Sequence, residues 1–311
     1  MAYFINQNLK WRFPSNKGAA LGSCVHKVLE YFAHIKLAQQ QNKSMVLLDI
    51  GEINISDFDI LSIIDKTYQY FTSQDTMKHI QWSDKEYKTY KTYVNTAITH
   101  NNGYFNPLKK NIIALEQYIN YTIDENWAIL PDGSNLRITG IIDLVLQDND
   151  NTIQIWDWKT SSTLSDFNTG ETIDLDYLQK DIQLMLYALV APKIYGEDKN
   201  YICTMFFLKQ KTPLSVAFSH EELKLAFNKI KHRFLEISKC SLPKLNRTWK
   251  CTKTCDFGKN TFENTKIKPI SQFLPNGIAP IGSPMTICDQ TFFELNRRGL
   301  NWVIENLKND N

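Results

Sequence analysis

Residues 138–160 constrain the fold more than any other part of the 311-residue chain. Their sequence, ITGIIDLVLQDNDNTIQIWDWKT, predicts two β-strands, because β-branched and apolar runs flank the polar turn at residues 148–151. A connection this short leaves the two strands side by side and antiparallel. The chain therefore contains a sheet built on this hairpin.

Two aspartates interrupt the apolar runs of the predicted hairpin. Asp143 stands within GIIDLV, and Asp157 stands between two tryptophans. Side chains two residues apart in a strand point to the same face, so Asp157 and Lys159 project together. A buried charge without a partner is costly, whereas a metal ion or a lysine would compensate it. Two carboxylates and a lysine suit a Mg²⁺ or Mn²⁺ site, and the alternative is that they are ordinary surface charges of a hairpin.

The rest of the chain predicts an α/β fold with a small mixed central sheet flanked by helices. Apolar residues recur at helical spacing in six segments, residues 18–41, 57–71, 84–99, 177–194, 219–238 and 289–307. Extended patterns mark strands at residues 113–123, 136–146, 152–159 and 201–209. A helix at residues 113–123 and a further strand at residues 216–218 remain open alternatives.

Three segments resemble a known group of enzymes. GIIDLV, IWDWKT and QLMLYA, in this order, are similar to the RecB-type branch of the PD-(D/E)xK nuclease superfamily, which includes CRISPR adaptation nucleases and phage exonucleases. The helical G-x-x-x-H motif of that branch is matched by Gly22 and His26, and its Q-x-x-x-Y motif by Gln183 and Tyr187. Glu116 is the candidate for the glutamate that commonly precedes the first strand aspartate. The resemblance implies a restriction-endonuclease-like core.

The resemblance also implies roles for these residues. Asp143, Asp157 and the backbone carbonyl of Trp158 would bind Mg²⁺ or Mn²⁺, with His26 as a further ligand. Lys159 would act on the nucleophilic water. The remaining motif residues would contact the site or the DNA backbone, and they are Glu116, Gln183 and Tyr187.

We expect a single nuclease domain over residues 1–311. We predict that it begins with a first core helix that carries the histidine motif, at residues 17–43, followed by a mainly helical insert at residues 44–110. A catalytic α/β core follows at residues 111–240, and a C-terminal cap with a tail helix at residues 241–311.

Six cysteines raise the question of an iron–sulfur cluster. Many RecB-type nucleases hold a [4Fe–4S] cluster with one cysteine before the histidine motif and three near the C-terminus, and such a cluster needs four thiolates. Cys251 and Cys255 have the tail-like setting, but the third nearby cysteine is missing and Cys24 lies inside the histidine motif. We therefore expect no [4Fe–4S] cluster, and a cysteine site at Cys251 and Cys255 is the alternative.

Residues 209–268 are basic, with 14 Lys and Arg against 5 Asp and Glu, although the whole chain has a net charge of only +2. Such a stretch would neutralise phosphates and give affinity for DNA that does not depend on sequence. Trp249, Phe257 and Phe262 could stack on unpaired bases. The alternative is a solvated, lysine-rich surface.

The predicted function is that of a metal-dependent DNA nuclease. We favour an exonuclease that acts on DNA ends or single strands in replication, recombination or repair. A non-catalytic DNA-binding or scaffold protein on the same fold and a structure-specific endonuclease are the alternatives. No ATP-binding G-x-x-x-x-G-K-[ST] motif is present, so a helicase or recombinase partner would be a separate chain. No apolar run approaches the ~20 residues of a membrane span, which predicts no membrane partner and a cytoplasmic location, in the host if the chain is phage-encoded.

Overall fold

The computed structural model describes residues 15–130, 132–148, 151–161, 163–166, 170–239 and 286–308, together with residues 9, 242, 255 and 257. The chain divides into two compact units. The larger is Ser15–Phe234, and the smaller combines Met1–Pro14 with Leu235–Asn311. The single-domain organisation and its four predicted parts stay a prediction.

A five-stranded mixed sheet forms the centre of the larger unit. Its strand order is β3-β4-β5-β6-β7, and a separate hairpin pairs β1 with β2. Within the five-stranded sheet only β5 and β6 run parallel, and the other neighbours are antiparallel. The strands are β1 (Met45–Leu48), β2 (Gly51–Asn54), β3 (Ile112–Thr122), β4 (Arg137–Gln147), β5 (Thr152–Lys159), β6 (Asn200–Phe207) and β7 (Thr212–Val216).

Helices cover both faces of this sheet, which confirms the α/β class predicted from the sequence. Among the described residues, six helices begin in the larger unit and two lie in the smaller one. They are α1 (Lys17–Gln40), α2 (Ile60–Ser73), α3 (Asp84–Gly103), α4 (Leu175–Leu178), α5 (Ile182–Tyr195), α6 (His220–Ser238), α7 (Ile287–Arg298) and α8 (Leu300–Leu307). Helical backbone angles in α3 end before His100, as the sequence predicts.

Two hydrophobic clusters lie on opposite faces of the sheet. One combines α1, α2 and α3 with the indoles of Trp156 and Trp158, which are almost fully buried. The other packs α5 against the alternate residues of β5, among them Ile153 and Ile155. The period-2 pattern of β5 thus directs its tryptophans towards α1 and Asp157 towards the α5 side.

Local capping explains where several helices begin. Asn16 Oδ1 accepts a hydrogen bond from the amide of Ala19 at 2.9 Å and starts α1. Ser219 and Glu222 exchange hydrogen bonds at the start of α6, as a capping box does. These caps match the helix starts predicted from the sequence.

Three local features differ from the sequence-based prediction. The predicted helix at residues 177–194 is two helices, because Asp181 caps α5 by accepting from the amide of Leu184 at 3.0 Å. The predicted tail helix is also two helices, separated by Gly299 at φ +84°. The β1–β2 hairpin lies in the segment expected to be mainly helical, and Gly51 at φ +111° makes its turn.

The described part of the smaller unit consists mainly of α7 and α8. Glu294 in α7 is fully buried and forms an ion pair with Arg298, with Oε2 and Nε 2.8 Å apart. The guanidinium of Arg298 also lies over the ring of Trp302 at 4.2 Å from its centroid.

Within the described residues, no helix has the length and apolar character required to cross a bilayer.

Candidate active site

The predicted aspartates lie where β4 and β5 separate. The backbone ladder between these strands runs from the Gln147–Ile153 pair to the Leu144–Trp156 pair and ends there. Asp143 and Asp157 are the next residues on their strands. At this point a carboxylate replaces the backbone acceptor, since Asp143 Oδ2 accepts a hydrogen bond from the amide of Trp158 at 3.0 Å. We call this place the strand fork.

His26 reaches the strand fork from α1. Its Nδ1 lies 3.2 Å from Asp143 Oδ2, and its ring packs edge-on against the indole of Trp158 with centroids 6.2 Å apart. Burial lowers the pKa of His26, but the hydrogen bond to Asp143 and the charges of Asp143 and Asp157 outweigh burial, so this pKa lies above its ordinary value. The structure thus brings the histidine of the predicted motif into contact with the first strand aspartate, and their role as metal ligands stays a prediction.

Asp157 belongs to a buried cluster on the α5 side of the sheet. Asp157 is 4% exposed, and its Oδ2 lies 2.5 Å from Lys159 Nζ. Gln183 Nε2 donates to Asp157 Oδ1 at 2.8 Å, and Lys159 Nζ donates to Gln183 Oε1 at 3.3 Å. Tyr187 OH accepts from Gln183 Nε2 at 2.8 Å and donates to the carbonyl of Ile141 at 2.5 Å. We call Asp157, Lys159, Gln183 and Tyr187 the buried cluster.

The charge of Asp157 is only partly compensated. Its Oδ2 forms an ion pair with the ammonium of Lys159, and its Oδ1 accepts from the side-chain amide of Gln183. Burial raises the pKa of Asp157 to about 6, against the opposing effect of Lys159 and with a smaller contribution from the charge of Asp143. The cluster therefore holds a carboxylate close to the strand fork whose negative charge is only partly compensated.

An open groove of about 580 Å³ lies on the α1 side of the strand fork. We call it the acidic groove. It contains His26, Glu116 and Asp143, and its other lining residues are Ala19, Gly22, Ser23, Lys27, Glu30, Phe71, Ile141 and Thr160. The structure thus brings three of the predicted site residues to one water-accessible surface.

Glu116 occupies the acidic groove in a strained conformation. It lies on β3 between the paired residues Leu115 and Gln117, and its φ of +44° is one that a residue with a side chain rarely adopts. The side chain reaches water, yet the groove walls partly desolvate the carboxylate. This desolvation, and then the charge of Asp143, raises the pKa of Glu116 to about 6.

Gly22 allows α1 to lie close to the end of β5. A Cβ atom on Gly22 would lie 2.6 Å from Oγ1 of Thr160, the residue after Lys159. No Cβ normally approaches another atom so closely, so with a larger residue at this position either the side chain of Thr160 or α1 would have to shift. The glycine of the G-x-x-x-H motif therefore has a steric role that positions His26, one helical turn further along α1.

The acidic groove also contains Glu30, which the sequence analysis did not select. Its Oε1 pairs with Lys27 Nζ at 3.0 Å and with His34 Nε2 at 3.5 Å. Although burial raises it, these two partners hold the pKa of Glu30 below its ordinary value. The spacing of four residues from His26 was an available signal, because residues four apart share one helix face.

The structure gives less information about the remaining predicted site residues, several of which lie outside the described part of the chain. The amide of Trp158 contacts Asp143, whereas the predicted ligand atom is its carbonyl. Cys255 is half-buried, and Cys251 lies outside the described residues. Trp249 and Phe262 of the basic segment also lie outside them. The cysteine site and the absence of a [4Fe–4S] cluster stay predictions.

The chain matches the family model of the PD-(D/E)XK nuclease superfamily over residues 1–259. It belongs to this superfamily. Enzymes of the PD-(D/E)XK superfamily act on DNA and generally use divalent metals such as Mg²⁺ or Mn²⁺. No curated protein sequence matches the chain.

Among solved structures, the chain is similar to the crystal structure of a candidate exonuclease from Eubacterium rectale. The alignment covers 81% of this chain and 84% of that one, at 12% identity and a TM-score of 0.43. A likeness at this level does not bear on the roles of individual residues.

The donor groups at the strand fork fit the divalent metal of the PD-(D/E)XK superfamily. Asp157 offers a buried carboxylate whose charge Lys159 compensates only in part, and Asp143 offers a second carboxylate beside the imidazole of His26. Carboxylate oxygens are the ligands that Mg²⁺ prefers, and imidazole is acceptable to Mn²⁺. Among the described residues, no three His, Cys, Asp or Glu side chains lie close enough together to hold a metal ion without rearrangement.

Proposed function

We propose that the chain is a divalent-metal-dependent deoxyribonuclease that hydrolyses phosphodiester bonds, and that it acts as an exonuclease on DNA ends or single strands. The observation that carries this proposal is the pairing of Asp157 with Lys159 beside Asp143 at a strand fork that borders an open groove. A binding protein has no need of a carboxylate buried deeply enough to raise its pKa to about 6 next to a lysine, because burying that charge costs stability.

The proposed metal ligands are His26, Asp143, Asp157 and the carbonyl of Trp158. When bound, a divalent cation supplies Lewis acidity to the phosphate and lowers the pKa of a coordinated water. Lys159 holds a positive charge beside Asp157, where it can orient the attacking water and offset the negative charge that develops on the phosphate.

Gln183 and Tyr187 act as positioning residues in this proposal. Gln183 contacts both Asp157 and Lys159, and Tyr187 ties Gln183 to the backbone of β4. The rotamers of the charged pair are therefore fixed by α5 before substrate binds, which lowers the cost of reorganisation during the reaction. Glu116 would contribute a further carboxylate from the groove side.

The RecB-type assignment, the exonuclease preference, the cytoplasmic location and a separate helicase or recombinase partner also belong to this proposal. They are supported by the order of the motifs, by the absence of an ATP-binding motif from the sequence, and by the lack of a bilayer-spanning helix among the described residues.

The test is cleavage of end-labelled DNA in Mg²⁺ or Mn²⁺ by the full chain. Linear single- and double-stranded substrates should be degraded, and covalently closed circular duplex of the same sequence should resist. Asp157→Asn and Lys159→Gln should each abolish cleavage. Equal cleavage of circular and linear duplex would instead establish an endonuclease, and no cleavage with intact DNA binding would favour the non-catalytic alternative.

A further inference from the structure

A second groove of the larger unit is lined by lysines. It has a volume of about 560 Å³ and lies between α3 and the turn that follows β6. We call it the lysine groove, and its lining residues are Lys85, Lys88, Thr89, Thr92, Tyr93 and Lys209. Five of these residues lie on one face of α3, since they are spaced by three or four positions.

The hydrogen-bond donors of the lysine groove include its ammonium groups and the hydroxyl of Tyr93. Lys85 and Lys88 are exposed, and within the part of the chain that the structure describes neither forms an ion pair with a carboxylate. The hydroxyls of Thr89 and Thr92 already donate to the carbonyls of these lysines, each at 2.8 Å. A ligand for this groove therefore needs negative charges at more than one point along α3.

One edge of the lysine groove lies beside the end of β5. The amide of Leu208 donates to the carbonyl of Lys159 at 2.9 Å, and Lys209 is the next residue. On the other side Thr160 follows Lys159 and lines the acidic groove. Each groove therefore includes a residue from the same end of the adjacent parallel strands β5 and β6.

A nucleic-acid strand has the chemistry that both grooves require. It carries a phosphate at every nucleotide, so a strand with one phosphate in the acidic groove presents others a short distance away. We propose that the lysine groove binds the phosphate backbone of the substrate strand a few nucleotides from the bond that is cleaved. This inference rests on the proposed nuclease function, since it is the acidic groove that defines which bond is cleaved.

The test compares two double variants of the full chain. Lys85→Gln/Lys88→Gln removes both charges from α3, and glutamine has nearly the helix propensity of lysine, so the helix is retained. The matched control is Lys43→Gln/Lys66→Gln, which removes two charges from exposed positions of the same unit outside both grooves. Far-ultraviolet circular dichroism and thermal melting would establish that both proteins fold.

The first readout is affinity for a labelled single strand of about 30 nucleotides in metal-free buffer, measured by fluorescence anisotropy at several salt concentrations. Each phosphate contact of a single strand contributes about 0.7 to the slope of log affinity against log salt, so the groove variant should lower that slope by about 1.4. Its affinity at ~0.1 M salt should fall on the order of tenfold. The control variant should keep the wild-type slope.

The second readout is single-turnover cleavage in Mn²⁺ of strands of about 30 and about 5 nucleotides at subsaturating protein. The groove variant should slow cleavage of the long strand, and it should slow cleavage of the short strand less because that strand has fewer phosphates to place in the groove. Unchanged affinity and salt slope in the groove variant would overturn the inference and leave the groove to another partner, such as an acidic protein segment. Equal losses in both double variants would overturn it as well.

The two proposals fail in different ways. A wild-type protein that cleaves nothing but shows lysine-dependent DNA binding would contradict the nuclease function and retain the groove as a nucleic-acid site. A wild-type protein that cleaves DNA, with a groove variant identical to it, would contradict the groove alone.

Discussion

The buried cluster and the acidic groove lie on either side of the same strand fork, but their polar groups are satisfied differently. In the buried cluster, Gln183 and Tyr187 link the Asp157–Lys159 pair to the backbone of β4. In the acidic groove, Glu116 has a strained backbone and a carboxylate whose pKa is raised to about 6. The comparison indicates that one side fixes geometry, whereas the other retains unfavourable charge that a cation would relieve.

The largest expected effect is on catalysis in the buried cluster. Asp157→Asn keeps the shape of the side chain and removes the charge, so cleavage should fall at least ~10³-fold, a loss in the range seen when an essential catalytic group is removed. The measurement is single-turnover cleavage of a linear duplex. Wild-type cleavage by the folded variant would remove Asp157 from the site.

The same variant also tests the charge balance of the cluster. Because the pKa of Asp157 is raised to about 6 in the folded chain from an ordinary 3.8, proton binding favours the folded state. The stability that the protonated Asp157 side chain contributes is therefore lost as the pH rises through about 6. Urea unfolding at pH 5 and pH 8 should show that metal-free wild type loses more stability than Asp157→Asn over this interval.

The second expected effect concerns the contact that closes the acidic groove. Gly22→Ala would place a Cβ 2.6 Å from Thr160 Oγ1 and should lower the free energy of unfolding by about 2 kcal/mol, as overpacking does. Adding Thr160→Ala should restore most of this loss, because the next neighbour of the new Cβ is 3.7 Å away. Gly18→Ala, with its nearest neighbour at 3.4 Å, is the control on the same helix. Additive effects of the two substitutions would contradict a direct clash.

The third expected effect concerns the bond between the buried cluster and β4. Tyr187→Phe removes a hydroxyl that bonds both Gln183 and the carbonyl of Ile141, so urea unfolding should show a loss of about 1 kcal/mol or more. Tyr118→Phe, at an exposed position on β3, should change stability little. If Tyr187→Phe were equally harmless, the fixed geometry assigned to this side would be wrong.

The smallest expected effect concerns strain in the acidic groove. Both Glu116→Ala and Glu116→Gly remove the carboxylate, but only glycine adopts a φ of +44° without cost. The glycine variant should therefore be more stable than the alanine variant by about 0.5 kcal/mol in urea unfolding. An alanine variant of equal or greater stability would show that the backbone at this position carries no strain.

The strand pair and the motif residues could be predicted from the sequence because their signals are local. The alternation in β5 separates Trp156 and Trp158 from Asp157, and the structure places them on opposite faces as expected. Spacings of four residues likewise placed His26 relative to Gly22 and Gln183 relative to Tyr187. Such patterns depend only on the period of a strand or a helix.

Other features depend on contacts between distant segments and have no local signal. The lysine groove combines α3 with the turn after β6, and the positive φ of Glu116 arises where β3 meets the strand fork. The break before α5 had a signal in Asp181, whose capping bond competes with helix continuation. The apolar periodicity on both sides of Asp181 concealed that signal.

The parallel pairing of β5 with β6 has a consequence for the order of folding. The β4–β5 hairpin joins neighbouring segments and can form early, whereas a parallel pair requires the whole crossover through α5. Gln183 reaches Asp157 only when that crossover has docked, and His26 reaches Asp143 only when the much earlier α1 has packed on the other face. The site residues therefore come together only after both faces of the sheet are covered, and a partly folded molecule that has only the β4–β5 hairpin lacks the assembled site.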